Sequence, residues 1–134
     1  MPSYRKGARG EHELVHLLNS RGYSVMRAPS SGGAIYPLDV IAIKKGRILA
    51  FEIKTWNRKP YLESDQVNAF REWCERAGAT GFLGWRGRGK WSFLSLENVL
   101  SGNYKDNVWM TMESFFRTLG DSDPDSTFLC AKPA

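Results

Sequence analysis

Two acidic residues that strand pairing would bring face to face are the first sign of chemistry in this sequence. The dipeptide Lys45-Gly46 separates two apolar runs and predicts a β-hairpin over residues 38–55. Pairing across that turn places Asp39 opposite Glu52, within the most apolar part of the chain. Two like charges directly across a strand pair destabilise it, whereas a divalent cation would make both carboxylates its ligands. The hairpin therefore predicts a cation between the two side chains.

Two further charged residues are expected close to this pair. Lys54 follows Glu52 by two residues, so strand alternation sends both side chains to the same face. A buried salt bridge to Lys54 is the alternative to a metal, but it would leave one acid uncompensated. Glu11 lies on the apolar, sheet-facing stripe of the first predicted helix, although a glutamate in a first helical turn is also favoured by the helix dipole.

The elements that must position these residues indicate one α/β domain. The order of helices and strands predicts a mixed sheet of about five strands flanked by helices. We expect residues 1–100 to form the main body and residues 101–134 to form a C-terminal helix and tail packed on it. The predicted elements are a helix over 5–21, strands over 23–28, 38–44 and 47–55, a helix from an N-cap at Ser64 to Gly78, strands over 80–85 and 91–95, and two short helices, the second over 111–119.

Length, composition and charge restrict the class of protein. The chain has 134 residues, of which 42% are hydrophobic and 25% charged, as expected for one globular domain. It has no apolar run long enough for a membrane span, no secretion signal and only two cysteines, so we expect a cytoplasmic protein. The net charge is +5, with 16 basic and 9 acidic residues over 1–100. This excess favours a polyanion as partner, although an ordinary solvated surface remains open on charge alone.

Several segments of the chain resemble one family of nucleases. Asp39 followed by Glu52-Ile53-Lys54 matches the pattern of the PD-(D/E)xK nuclease superfamily. The N-terminal run Tyr-Arg-Lys-Gly-Ala-Arg-Gly-Glu-His-Glu-Leu at 4–14 closely resembles the opening of archaeal Holliday-junction resolvases, as do the segment 22–27 and the Ser/Gly loop 30–33. The resemblance runs from about residue 4 to residue 96 and implies a restriction-endonuclease-like fold, with 1–100 as the nuclease domain.

The resemblance also implies an activity and a set of site residues. It implies a homodimeric, Mg²⁺-dependent endonuclease, with Mn²⁺ able to substitute, that resolves four-way DNA junctions in recombination and repair by nicking two opposing strands. Where the family has an arginine after the helix glutamate, this chain has His12. The implied roles are metal binding for Glu11, Asp39 and Glu52, assistance to catalysis for Lys54, DNA contacts near the scissile phosphate for Arg27 and Ser31, and a place beside the site for Gln66, which is otherwise an exposed helix-start residue.

The remaining basic and aromatic residues suggest contacts outside the metal site. Trp56 and Tyr61 could stack on DNA, but packing on the core is favoured for both. Met112, Phe115 and Phe116 have the spacing of a sliding-clamp peptide, but a packing helix is favoured for them. Basic residues near the predicted site are expected to contact DNA phosphates. The large aromatics are expected by default to pack in the core, with some of them lining a dimer surface as the alternative. The basic set is Arg5, Lys6, Arg9, Arg58 and Lys59, and the aromatic set is Trp73, Phe82, Trp85, Trp91 and Phe93.

Two other functions remain open from the sequence. One is a restriction-type or repair-type nuclease of the same fold that acts on linear or damaged duplex DNA. The other is a DNA-binding protein whose nuclease site is vestigial, against which the intact set of Glu11, Asp39, Glu52 and Lys54 argues.

Overall fold

A six-stranded mixed β-sheet forms the centre of the protein. The computed structural model describes residues 2–29 and 35–120, with side chains from residue 8 onward. The strands lie in chain order across the sheet, and every neighbouring pair is antiparallel except the third and fourth, which are parallel. They are β1 (Ser24–Arg27), β2 (Val40–Lys44), β3 (Arg47–Lys54), β4 (Thr80–Gly87), β5 (Lys90–Ser95) and β6 (Met110–Thr111).

Helices cover both faces of this sheet. The helices are α1 (Pro2–Ser20), α2 (Ser64–Ala77), α3 (Leu96–Leu100) and α4 (Met112–Thr118), with a short 3₁₀ turn over Asp106–Val108. Side chains of α1 and α4 share one apolar core with one face of the sheet, and those of α2 and α3 share a second core with the other. The α/β fold class is therefore confirmed. The sheet has one strand more than predicted, because β6 has only two residues and shows no alternating pattern.

Two tight turns set the hairpin registers. Lys45 and Gly46 both have positive φ, 49° and 88°, as a type I′ turn requires. The paired residues run from Lys44 opposite Arg47 to Val40 opposite Phe51, which confirms the predicted hairpin. The second hairpin turns at residues 88–89, also with positive φ, so β4 extends two residues beyond the predicted strand 80–85 and β5 begins one residue before the predicted strand 91–95.

The start of α2 differs from the prediction by one residue. Glu63, not Ser64, is the N-cap, and its backbone N–H donates to Gln66 Oε1 at 3.3 Å. The two side chains form a capping box, which satisfies backbone donors at this helix end and leaves Ser64 as the first helical residue. The Gln66 side chain therefore caps the N-terminus of α2. At the other end, Gly78 adopts φ 68° as the predicted C-terminal residue.

The C-terminal helix α4 is part of the core. Phe115 is 0% exposed and Phe116 is 2% exposed. The Phe115 ring lies 4.2 Å from that of Phe93 and 4.9 Å from that of Phe82, measured between centroids. The sliding-clamp hypothesis is therefore wrong for the folded domain, since the aromatic side chains that a clamp would bind are inside, and the packing helix is confirmed. The final stretch, 121–134, lies outside the described residues.

No helix among the described residues 2–29 and 35–120 is long and apolar enough to cross a membrane.

Candidate active site

The carboxyl pair lies at the end of the β2–β3 hairpin that is remote from its turn. The paired register ends at Val40 opposite Phe51, and the backbone N–H of Asp39 donates to the carbonyl of that same Phe51 at 2.8 Å, so the strand bulges at Asp39 and the predicted direct pairing of Asp39 with Glu52 is not formed. The two side chains meet nevertheless, because a hydrogen bond joins Asp39 and Glu52. Each acidic residue is only 5% exposed. The backbone N–H of Ile53 donates to Asp39 Oδ2 at 2.7 Å and holds this carboxylate against β3.

Burial in this pair changes the ionisation of Glu52. Removal from water, a hydrogen bond with Asp39 and the Asp39 charge raise the pKa of Glu52 to about 9, and Lys54 opposes only part of that rise. At pH 7 and without a cation, Glu52 therefore stays protonated, and its carboxyl O–H donates a hydrogen bond to Asp39. A cation bound between the two carboxyl groups would have to displace that proton.

Lys54 lies on the same face of the sheet as Glu52. Phe51 and Ile53 belong to the core on the α1 side, so the alternate residues Glu52 and Lys54 face the α2 side. Lys54 Nζ lies 5.4 Å from the centroid of the Trp56 ring, a cation–π distance. The ammonium group is therefore held near the carboxyl pair by an aromatic side chain two residues further along.

Glu11 comes to this end of the sheet from the helix on the opposite face. α1 packs so closely on the sheet that a Cβ at Gly10 would lie 2.7 Å from Thr55 Cγ2. Arg27, the last residue of β1, donates to Glu11 Oε1 from Nε at 3.1 Å and from Nη2 at 3.0 Å. Partial burial and the Asp39 charge raise the pKa of Glu11, and the Arg27 contacts offset part of this.

The structure brings together only part of the predicted three-carboxylate set. Within the described parts of the chain, no three acidic, histidine or cysteine side chains lie close enough to hold one ion. Asp39 and Glu52 form a pair, whereas the Glu11 carboxylate is directed to Arg27, which neutralises it. Metal binding by Glu11 stays a prediction, and in this conformation the Arg27 guanidinium provides its nearest opposite charge.

The predicted DNA contacts have different surroundings. Arg9 and Arg58 are exposed. Arg27 is 37% exposed and its Nη1 also lies 3.1 Å from His12 Nε2. Lys59 forms an ion pair with Asp106, so its charge is partly used within the protein. The side chains of Arg5 and Lys6, and all of Ser31, lie outside the described residues.

Glu13 is a positioning residue that the sequence patterns did not reveal. It accepts hydrogen bonds from Arg86 Nε at 2.7 Å and Trp91 Nε1 at 2.6 Å. Although partial burial opposes ionisation, these bonds and the Arg86 charge lower the pKa of Glu13. The contacts tie α1 to the β4–β5 hairpin and so help to hold the helix that carries Glu11. The partners are 73 and 78 residues away along the chain, so no local spacing marks them.

Comparison with known proteins identifies the family. The model of the archaeal Holliday junction resolvase family, Hjc, matches residues 2–114. The chain belongs to this family. An Hjc crossover junction endodeoxyribonuclease of Sulfurisphaera tokodaii is 36% identical over 83 residues, which cover 59% of this chain and 58% of that protein. Its counterpart in Sulfolobus acidocaldarius is 33% identical over 111 residues, 78% of each chain.

A solved Hjc structure has the same fold. Hjc of Archaeoglobus fulgidus, described as a Holliday junction resolvase from an archaeal hyperthermophile, superposes with a TM-score of 0.61 at 26% identity, covering 68% of this chain and 78% of that one. The resemblance inferred from the N-terminal run and the Asp39…Lys54 pattern is therefore confirmed. The Hjc match extends to residue 114, beyond the limit near residue 96 inferred from motifs, and so includes β6 and the start of α4.

Proposed function

We propose that this Hjc-family protein resolves four-way DNA junctions by metal-dependent hydrolysis of phosphodiester bonds in two opposing strands. The observation that carries the proposal is the buried pair Asp39–Glu52, with Lys54 on the same sheet face. The net charge of +5 and the names of the relatives, crossover junction endodeoxyribonucleases, support DNA as the substrate. Because recombination and repair intermediates are the proposed substrates, we propose a cytoplasmic location.

The side chains of the pair fit Mg²⁺, with Mn²⁺ as a substitute. Both side chains offer hard carboxylate oxygens, and Mg²⁺ sites commonly use one or two carboxylates together with water and phosphate oxygens. Asp39 and Glu52 therefore suffice as protein ligands, with the Glu52 proton released on binding. Glu11 would join the site by turning away from Arg27.

Each residue of the site has a distinct role in this proposal. A bound Mg²⁺ would lower the pKa of a coordinated water and offset negative charge on the phosphate. The Lys54 ammonium, held by the Trp56 ring, would stabilise the charge that grows on the phosphate oxygens. Arg27 would pair with a DNA phosphate once Glu11 has turned away, since a guanidinium binds phosphate in a bidentate manner. Arg9 and Arg58, both exposed, would hold the backbone on either side.

Cleavage of matched DNAs with and without divalent ions tests this function. With Mg²⁺ or Mn²⁺ we expect paired nicks in a four-way junction and none in a linear duplex of the same arm sequence. Chelation with EDTA should reduce the rate by roughly 1,000-fold or more, because a metal ion supplies several kcal/mol of transition-state stabilisation. End-labelled strands on a sequencing gel give both positions and rates. Cutting of the linear duplex would instead favour a restriction-type or repair-type nuclease, and tight binding without cutting a non-catalytic protein.

We also propose a homodimer built on an uncovered apolar part of the sheet. Met26 is 72% exposed and Ile43 is 43% exposed on the α2 side, beyond the strands that α2 covers. The strand register puts the half-buried Ile41 and Ile48, the latter at the adjoining start of β3, on the same face, and we call these four residues the β1–β2 apolar patch. A contiguous exposed apolar patch is typical of an interface, and a two-fold dimer would present two sites to opposing strands.

The structure also revises the aromatic candidates for this interface. Phe82, Trp91 and Phe93 are buried in the α1-side core, which confirms the default of core packing and excludes them from a dimer surface. They stack on one another and on α4 instead. Trp73 and Trp85 are only partly buried.

Met26→Asp should separate the proposed dimer. A charge at the centre of an apolar interface is desolvated without a partner, so we expect the dimer dissociation constant to rise about 10-fold or more. Sedimentation at micromolar concentration measures this, and paired nicks should become independent single nicks. Leu100→Asp, at a 45% exposed position on α3, is the matched control. An unchanged association state of Met26→Asp would exclude the β1–β2 apolar patch as the interface.

A further inference from the structure

The loop between β3 and α2, residues 55–63, is fastened at both ends. Near its start, Trp85 Nε1 donates to the Trp56 carbonyl at 2.7 Å. Near its end, the Leu62 backbone N–H donates to Tyr104 Oη at 3.2 Å. Hydrogen bonds of this kind restrict the backbone of a connecting segment, so side chains on this loop have defined positions.

An exposed aromatic side chain on this loop contacts the tryptophan that lies beside the proposed catalytic lysine. Tyr61 is 51% exposed, and its ring lies 5.6 Å from that of Trp56 at an angle of 73°, an edge-to-face contact. The Trp56 ring is itself 5.4 Å from Lys54 Nζ. Trp56 therefore contacts both the ammonium group and the tyrosine ring, and Tyr61 keeps about half of its surface open to solvent.

Neither ring contributes to the packing of the two cores. Both apolar cores are formed by other residues, and neither Trp56 nor Tyr61 belongs to them, so the expectation that these two rings pack on the core is wrong. Arg58 is exposed on the same loop, between the two aromatic residues. A rigid aromatic face beside a positive side chain is the combination that binds single-stranded nucleic acid, where bases stack on rings and the backbone meets positive charge.

We propose that Tyr61, supported by Trp56, is a stacking platform for an unstacked nucleobase at the branch point of the junction. The inference rests on the proposed function and specifies how the site would select its substrate. Base pairs at the branch point of a four-way junction are the easiest to unstack, because each strand passes there from one helical arm to the next. An intact linear duplex offers no free base face. Since every base has a π face, Tyr61 would select junction structure without reading sequence.

Binding measurements without divalent ions test this platform separately from cleavage. In EDTA, Tyr61→Ala should weaken binding to a four-way junction by roughly 5- to 150-fold, the range that base–aromatic stacking provides, and leave binding to a linear duplex unchanged. Tyr61→Phe should retain junction affinity within about twofold, since it keeps the ring. Tyr61→Leu, which is apolar without a π face, should behave as Tyr61→Ala and controls for lost packing against Trp56.

A fluorescent base locates the contact. A junction with 2-aminopurine at the branch point should change its fluorescence on binding wild-type protein or Tyr61→Phe, and not on binding Tyr61→Leu, whereas the same label within an arm should report no difference. Equal loss of junction and duplex affinity in Tyr61→Ala would overturn the platform, as would a branch-point fluorescence change on binding Tyr61→Leu as large as that on binding wild type. Failure of wild-type protein to cut junctions in Mg²⁺ would instead contradict the proposed function, and it leaves these binding results unaffected.

Discussion

Asp39→Asn should lower the rate of junction cleavage by about 1,000-fold or more, while junction affinity in EDTA stays within about threefold of wild type. The amide removes the negative charge that a cation needs at this position. Its carbonyl oxygen can still accept the hydrogen bond from the Ile53 N–H, so the local geometry is kept. Binding should persist because the contacts to phosphates come from basic residues elsewhere on the surface.

Single-turnover cleavage of an end-labelled junction measures the rate, and gel shift in EDTA measures the affinity. Asp65→Asn, at an exposed position in the first turn of α2, changes the net charge equally and should cut at the wild-type rate. Wild-type cleavage by Asp39→Asn would show that the carboxyl pair is not the catalytic site.

Glu52→Gln should stabilise the metal-free protein, and more so as the pH rises. The folded state keeps the Glu52 proton up to a pKa of about 9, whereas an unfolded glutamate loses it near 4.5. Between these values the folded state binds more protons, so the free energy of unfolding of wild type falls with pH, by up to about 1.4 kcal/mol per pH unit from this group. Glutamine resembles the protonated acid and carries no such dependence. The stability of the two proteins should therefore be similar near pH 4 and diverge toward pH 8.

Denaturant melts in EDTA at several pH values measure this difference directly. Glu97→Gln, at an exposed glutamate of α3, is the control and should follow wild type. Adding Mg²⁺ should then stabilise wild type and have little effect on Glu52→Gln, since an ion that binds only the folded state shifts unfolding by mass action. Parallel stability curves for wild type and Glu52→Gln from pH 5 to 8 would mean that Glu52 is not held protonated.

The hairpin and its carboxyl pair could be worked out from local patterns. A two-residue turn at Lys45-Gly46, with positive φ at both residues, sets the register of the strands beside it. Once the register is known, a period of two brings Asp39 close to Glu52 and puts Lys54 on the same face as Glu52, whereas the bulge that places both Asp39 and Val40 opposite Phe51 has no local signal. The C-terminal ends of α1 and α2 were equally accessible, because apolar spacing and a terminal glycine are local signals, whereas α1 begins three residues before its predicted start.

Other features depend on contacts between distant parts of the chain, and the spacing of residues in the sequence does not show which of the possible contacts forms. The spacing of Phe115 and Phe116 fits both a clamp peptide and a packing helix, and only the aromatic core of the folded sheet distinguishes them. Glu11 lies on the predicted inward stripe, yet its nearest opposite charge is Arg27, 16 residues away on an edge strand. The exposure of Tyr61 likewise results from which surfaces the helices cover, and that is set by the packing of the whole domain.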